Sequence, residues 1–197
     1  MNKNFIEKRL FNYSVIGAFT ILLMYCVFCF FGENFESVLY VIIAPVNGSI
    51  WESVKCIMLC FIIWSTATVL IITPPFKKFV VSAVFVLYIG LFTCITLYYL
   101  LSMFTGFVWW AKLVAVIFTV CLMQYLLFRL TQSDIKEENY FVLSVFLLVL
   151  LFVCIFSFSV FAPKLPIFYD NELGIYGVIP DCFDVGAVFL DKATAFV

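Results

Sequence analysis

The chain contains no histidine. That absence removes the commonest general base and the commonest metal ligand, and leaves an all-cysteine arrangement as the one remaining zinc site. The eight cysteines, at 26, 29, 56, 60, 94, 121, 154 and 182, are not spaced to make one. Charge is also scarce: 12% of the residues are Asp, Glu, Lys or Arg, where soluble domains carry about a quarter. The net charge of -1 offers no basic surface, so nucleic acid is not an expected partner. No charged side chain stands at the middle of an apolar run, which argues against a proton pump or an intramembrane protease.

Apolar residues fill the space that these absences leave. They make up 66% of the 197 residues, 26 of them phenylalanine, and the mean hydropathy is +1.19. A soluble fold would have too little left for its surface, so the composition predicts an all-α, polytopic membrane helix bundle. A bilayer crossing needs about 20 apolar residues. Five runs qualify, at about 13–31, 51–73, 79–103, 108–130 and 140–162. A shorter run, 38–44, predicts an interfacial or re-entrant piece. The organisation expected is a transmembrane bundle over 1–162 and an extracytoplasmic tail over 163–197. The first run exceeds a signal-peptide core and lacks an A-x-A site after it, so it reads as an anchor that stays. The C-x-x-C at Cys26 and Cys29 lies within that run, where cysteines act as small hydrophobes.

Lysine and arginine flanks set the orientation. With five spans, Lys3, Lys8, Arg9, Lys77, Lys78, Arg129 and Lys136 fall on one side, and Lys55, Lys112, Lys164 and Lys192 on the other. The bias places the N-terminus in the cytoplasm and the C-terminus outside, in a multi-pass protein of a bacterial plasma membrane. Trp109 and Trp110 then sit at an outer boundary, where amphipathic rings collect. The prolines of "TPPFKK" (73–78) end the second helix. Ser133 or Asp134 is the expected N-cap of the fifth. No internal repeat is present, and five spans do not form two matched halves. Within the spans Gln124 is the one strong hydrogen-bonding side chain, and an interhelical hydrogen bond is its expected role.

Polar chemistry gathers in two outer segments. "APVNGSIWESVK" (44–55) has the S-x-x-E form of a capping box, with Ser49 bonding the Glu52 amide and Glu52 bonding back. Asn47 is the alternative N-cap, with Val46 stapled on Trp51. Trp51 is expected at the headgroup level. Lys55 is a cation in the first turns, where the helix dipole disfavours it. Snorkelling, or pairing with Glu52, Glu33 or Glu36, would accommodate it. The second segment, "APKLPIFYDNELGIYGVIP" (162–180), has prolines that stop the fifth span, and glycines and aromatics that suit a folded tail. It is expected to fold back onto the outer face, beside the first segment.

The first segment resembles the fingerprint P-x-N-E-S-x-W-E-H-x-K of an uncharacterised family of small bacterial integral membrane proteins. Pro45, Asn47, Ser49, Trp51, Glu52 and Lys55 match it. The tail is similar to that family's closing pattern, P-x-x-P-L-F-x-D followed by G-x-Y-G, at Pro163, Pro166, Phe168, Asp170, Gly174, Tyr176 and Gly177. The motif's first glutamate is Gly48 here and its histidine is Ser53, so a family site built on either group would be lost in this chain. The resemblance implies a membrane location and no known activity.

Three functions are compatible with these features. The first is a non-enzymatic membrane protein whose outer face binds a partner or small ligand through Asn47, Ser49, Trp51, Glu52, Lys55, Asp170, Glu172 and Tyr176. The second is a small-solute transporter or permease component, with a cavity near Gln124. The third is a membrane-surface enzyme using Glu52, Asp170 and Glu172 as acid, base or cation ligands. No cofactor and no metal is expected. The lipid bilayer is the expected environment, with a membrane-protein partner or a second copy of the chain as candidate contacts.

Overall fold

The structure, a computed structural model, describes residues 3–32, 43–106, 109–133, 137–171 and 174–176. The short segment expected at 38–44 lies mostly outside them, as do Asp134, Glu172 and the tail from 177 onward. Five helices carry the fold: α1 (Lys3–Gly32), α2 (Ile50–Ile72), α3 (Phe76–Thr105), α4 (Trp109–Gln132) and α5 (Glu137–Val160). Each contains a stretch long and apolar enough to cross a membrane. The chain is thus an all-α bundle, to which the tail adds a 3-10 turn (Pro166–Phe168) and a two-stranded hairpin, β1 (Tyr169–Asp170) with β2 (Ile175–Tyr176).

Local chemistry explains the helix ends. Pro74 and Pro75 supply no amide, so α2 stops at Ile72 and Thr73 is driven to a φ of 50°, its N–H returning to the Val69 carbonyl. Ser133 does not start α5. Its hydroxyl donates to the Leu130 carbonyl at 2.7 Å and its amide to Arg129, so it closes α4. Gly174, at a φ of 69° that suits glycine, turns the tail hairpin and donates to the Asp170 carbonyl at 2.9 Å.

The packing is a ring of four helices with a fifth outside it. α1 packs on α2 and α4, and α3 packs on the same two from the other side; α5 lies mainly along α3. Tyr25 meets Ser53 while Tyr13 stacks on Trp64, so α1 and α2 run antiparallel. Phe85 meets Tyr140 and Tyr88 donates to the Leu147 carbonyl, so α3 and α5 run parallel. Every helix keeps an outward apolar face, α2 only in its second half, at Ile63, Leu70 and Ile71. In the first half of α2, Ile50 through Met58 are buried without interruption. A helix buried on all sides is surrounded by protein, and α2 carries Glu52, Ser53 and Lys55 into that surrounded stretch.

Candidate functional site: a capped polar end

The site is built around the start of α2. Ser49 is the N-cap, and its hydroxyl accepts the Glu52 amide at 3.4 Å. The reciprocal half of the capping box does not form. The Glu52 carboxylate turns past Ser49 to accept the Val46 amide at 3.0 Å. The Ser49 amide donates instead to Asn47 Oδ1 at 2.9 Å. Asn47 therefore makes a side-chain turn before the helix rather than capping it. Glu52 is well placed for this arrangement, near the positive end of the helix dipole.

Lys55 resolves as an ion pair. Its Nζ lies 2.5 Å from Glu52 Oε2, and the lysine side chain is 0% exposed. It neither snorkels nor reaches solvent. The pair's position, one turn apart on a helix buried all round, takes both charges out of water together. Such burial carries a desolvation penalty that ion pairing only partly offsets.

The tail closes this end. Asp170, 1% exposed, accepts the Gly48 amide through Oδ2 at 2.6 Å. On the other side of the same residue, Lys112 Nζ from the first turn of α4 donates to the Gly48 carbonyl at 3.0 Å. Gly48 is thus held at its amide by the tail and at its carbonyl by α4. A Cβ at this position would lie 3.0 Å from both Asp170 carboxylate oxygens, so the absence of a side chain is what admits the carboxylate. Trp51, expected as a headgroup anchor, does not turn its ring outward. It is buried, with Phe158 of α5 and Phe168 of the 3-10 turn at ring-centroid distances of 5.4 and 5.1 Å. Trp109 and Trp110, by contrast, are exposed. In the hairpin, Tyr169 and Tyr176 pair with centroids 4.9 Å apart, and Tyr176 stays exposed.

Of the residues read from sequence, Asn47, Ser49, Trp51, Glu52, Lys55 and Asp170 converge here, and Tyr176 lies on the hairpin above; Glu172 falls outside the described residues. Lys112 and Tyr25 were not legible as members. Tyr25 of α1 donates to Ser53 Oγ at 3.2 Å, directly beneath the ion pair's helix turn. Lys112, like Lys55, is a cation near a helix start, which marks it as unusual without saying what it meets. Tyr25 sits beside a cysteine in an apolar run and gives no such signal. Cys26 and Cys29 are both free thiols. Among the described residues no group of His, Cys, Asp and Glu side chains is arranged to hold a metal.

Gln124 departs from expectation. It is 3% exposed, and among the described residues neither its amide nitrogen nor its amide oxygen has a hydrogen-bond partner. The interhelical bond expected of it does not form. Phe11 and Phe128 pack edge to face one turn away, which places Gln124 on the seam between α4 and α1.

Five membrane-length apolar helices, closed at one end by a folded tail over a buried ion pair, define a multi-pass helical membrane protein. Over residues 1–178 the chain matches DUF6512, a family of unknown function, and it belongs to that family. No curated protein and no solved structure matches it.

Proposed function

We propose that this is a non-enzymatic membrane protein whose capped end faces outward and binds a partner or small polar ligand. The observation that carries this reading is the convergence on Gly48, where Asp170 takes the amide and Lys112 the carbonyl. Two charged side chains thus tie three distant segments, and the Glu52–Lys55 pair lies within the helix beneath. An ionisable pair buried in a membrane helix is by default a functional feature, because apolar residues would fill the space at less desolvation cost. Above it Tyr176 is exposed, and Tyr169 and the loop at Pro45–Gly48 are half-buried. These form the recognition surface, and the charges set its shape from below. Binding is favoured over acid–base catalysis because both carboxylates already accept backbone amides and are shielded from solvent. The lysine and arginine bias of the loops supports the outward orientation.

A photo-crosslinking residue at position 176, with position 146 on the lipid face as control, tests this reading in cells. A discrete adduct at 176 that disappears in Asp170→Asn is the expected result. Adducts identical at both positions, or none at 176, would remove it.

The unpaired amide of Gln124 favours a second reading, a small-solute permease component. Solute flux in proteoliposomes that Gln124→Leu abolishes and Asp170→Asn leaves intact would decide for it.

A further inference from the structure

The opposite end of the bundle carries a feature that the capped end does not explain. α3 begins at Phe76 after Pro74 and Pro75, and its N-cap, Pro75, contributes no side-chain hydrogen bond. The first intrahelical bond at this end runs from the Phe79 amide to the Pro75 carbonyl, at 2.9 Å. The amides of Phe76, Lys77 and Lys78 therefore precede the helical ladder. No acidic residue stands in the first turn. Instead Lys77 and Lys78 occupy it, and among the described residues neither has a carboxylate partner. Two cations at the positive end of a helix dipole repel it and each other unless an anion is present. The arrangement of free amides with flanking lysines is what a phosphate requires.

Beside this helix start a groove opens between α2, α3 and α5. Its volume is about 160 Å³, and it is lined by Phe61, Ser65, Phe79, Ala83, Leu87 and Leu148, among others. It runs from Phe76, next to the lysines, to Leu87, roughly 16 Å along the helix axis. The lining is apolar except for Ser65 and Thr66, and the Thr66 hydroxyl is engaged, donating to the Ile62 carbonyl at 2.9 Å. Ser65 is 7% exposed, its hydroxyl has no hydrogen-bond partner among the described residues, and it lines the groove. It stands seven residues before Ile72, where α2 ends, and α3 starts just after at Phe76, so it lies roughly 8–9 Å deeper than Lys77 and Lys78 along the axis. In a phospholipid the glycerol esters follow the phosphate at such a depth, and the chains lie deeper still.

We propose that the start of α3 and the groove beside it form a binding site for one anionic phospholipid. Lys77, Lys78 and the free amides hold the phosphate, Ser65 donates to an ester carbonyl, and one acyl chain lies along Phe61, Ala83 and Leu148. Charge complementarity selects an anionic headgroup, and the groove selects a lipid over a water-soluble phosphate. The site is independent of the capped end and of any partner bound there.

Native mass spectrometry of the full-length protein, released from detergent with either phosphatidylglycerol or phosphatidylcholine added, tests the proposal. One phosphatidylglycerol retained per chain, with phosphatidylcholine lost, is expected. Lys77→Gln with Lys78→Gln should lower that retention about tenfold. Filling the groove with Ala83→Phe should lower it with both lysines intact. Leu148→Trp obstructs the same groove from α5 and replaces Ala83→Phe should that variant not fold. Equal retention of the two lipids, or unchanged retention in the lysine variant, would overturn the site. Unchanged retention in both folded groove variants, or displacement by inorganic phosphate, would reduce it to a headgroup patch and overturn the proposal as well.

Discussion

Asp170 and Gly48 are 122 positions apart in the chain, and the Gly48 amide lies 2.6 Å from the Asp170 carboxylate. The contact joins the tail to the loop before α2, and Lys112 grips the same residue from the other side at 3.0 Å. A single loop residue thus links the tail, α4 and the start of the most buried helix.

Gly48→Ala should destabilise the protein by about 1 kcal/mol, since its Cβ would press on both Asp170 oxygens in a packed site. Thermal unfolding in detergent measures it. In an Asp170→Ala background the clash is gone, and the same substitution should have almost no effect. Equal losses in both backgrounds would separate the two residues.

Lys55→Met should be among the most damaging single changes, by about 3–5 kcal/mol, because it strands the Glu52 carboxylate in a buried position. Adding Glu52→Gln should restore much of the loss, as glutamine still offers an acceptor to the Val46 amide. A double variant no better than the single one would show that the ion pair is not the source of the effect. Denaturant midpoints for the two variants decide.

Trp51→Phe and Trp51→Ala should separate widely. The Trp51 indole N–H has no partner among the described residues, so phenylalanine retains the ring contacts to Phe158 and Phe168 and should lose less than about 1.5 kcal/mol. Alanine leaves a cavity and should lose about 3–5 kcal/mol. Comparable unfolding temperatures for the two would mean that the aromatic trio does not hold the tail down.

Gln124→Leu should leave stability unchanged or raise it, because no hydrogen bond is broken and a buried amide is replaced by an apolar group. A fall of more than about 1 kcal/mol would mean that the amide is bonded in the folded protein.

The proposed orientation has its own readout. In a Cys182→Ser background, Tyr176→Cys should react with a membrane-impermeant thiol reagent added to intact cells, since Tyr176 is exposed. Lys77→Cys, at the other end of the bundle, should react only after the membrane is opened. The reverse pattern would invert the topology.

Much of the fold was legible because its signals are local. Apolar runs of membrane length, the proline pair at 74 and 75, and a serine three residues before a glutamate mark helix bodies and ends without reference to anything distant. The Glu52–Lys55 pairing was one of the alternatives open to Lys55 for the same reason, as the two residues lie one turn apart. The site was legible only in part. Asp170 and the loop residues could be singled out by their polarity, but Lys112 and Tyr25 could not be assigned to them.

The sequence by itself determined a five-helix, membrane-spanning chain with its charged groups near the helix ends. Tertiary structure alone decided that Asp170 and Lys112 meet at Gly48, that Trp51 is buried, and that Gln124 is unpaired. The physical reason is the solvent. In a water-soluble helix, a polar face and an apolar face announce which side is packed. Here lipid and protein interior are equally apolar, so α1 and α5 carry hydrophobic residues all round and the sequence does not record which face meets a neighbour. Helix rotation and register are then set by close packing of particular side chains, and those contacts exist only once the bundle is assembled.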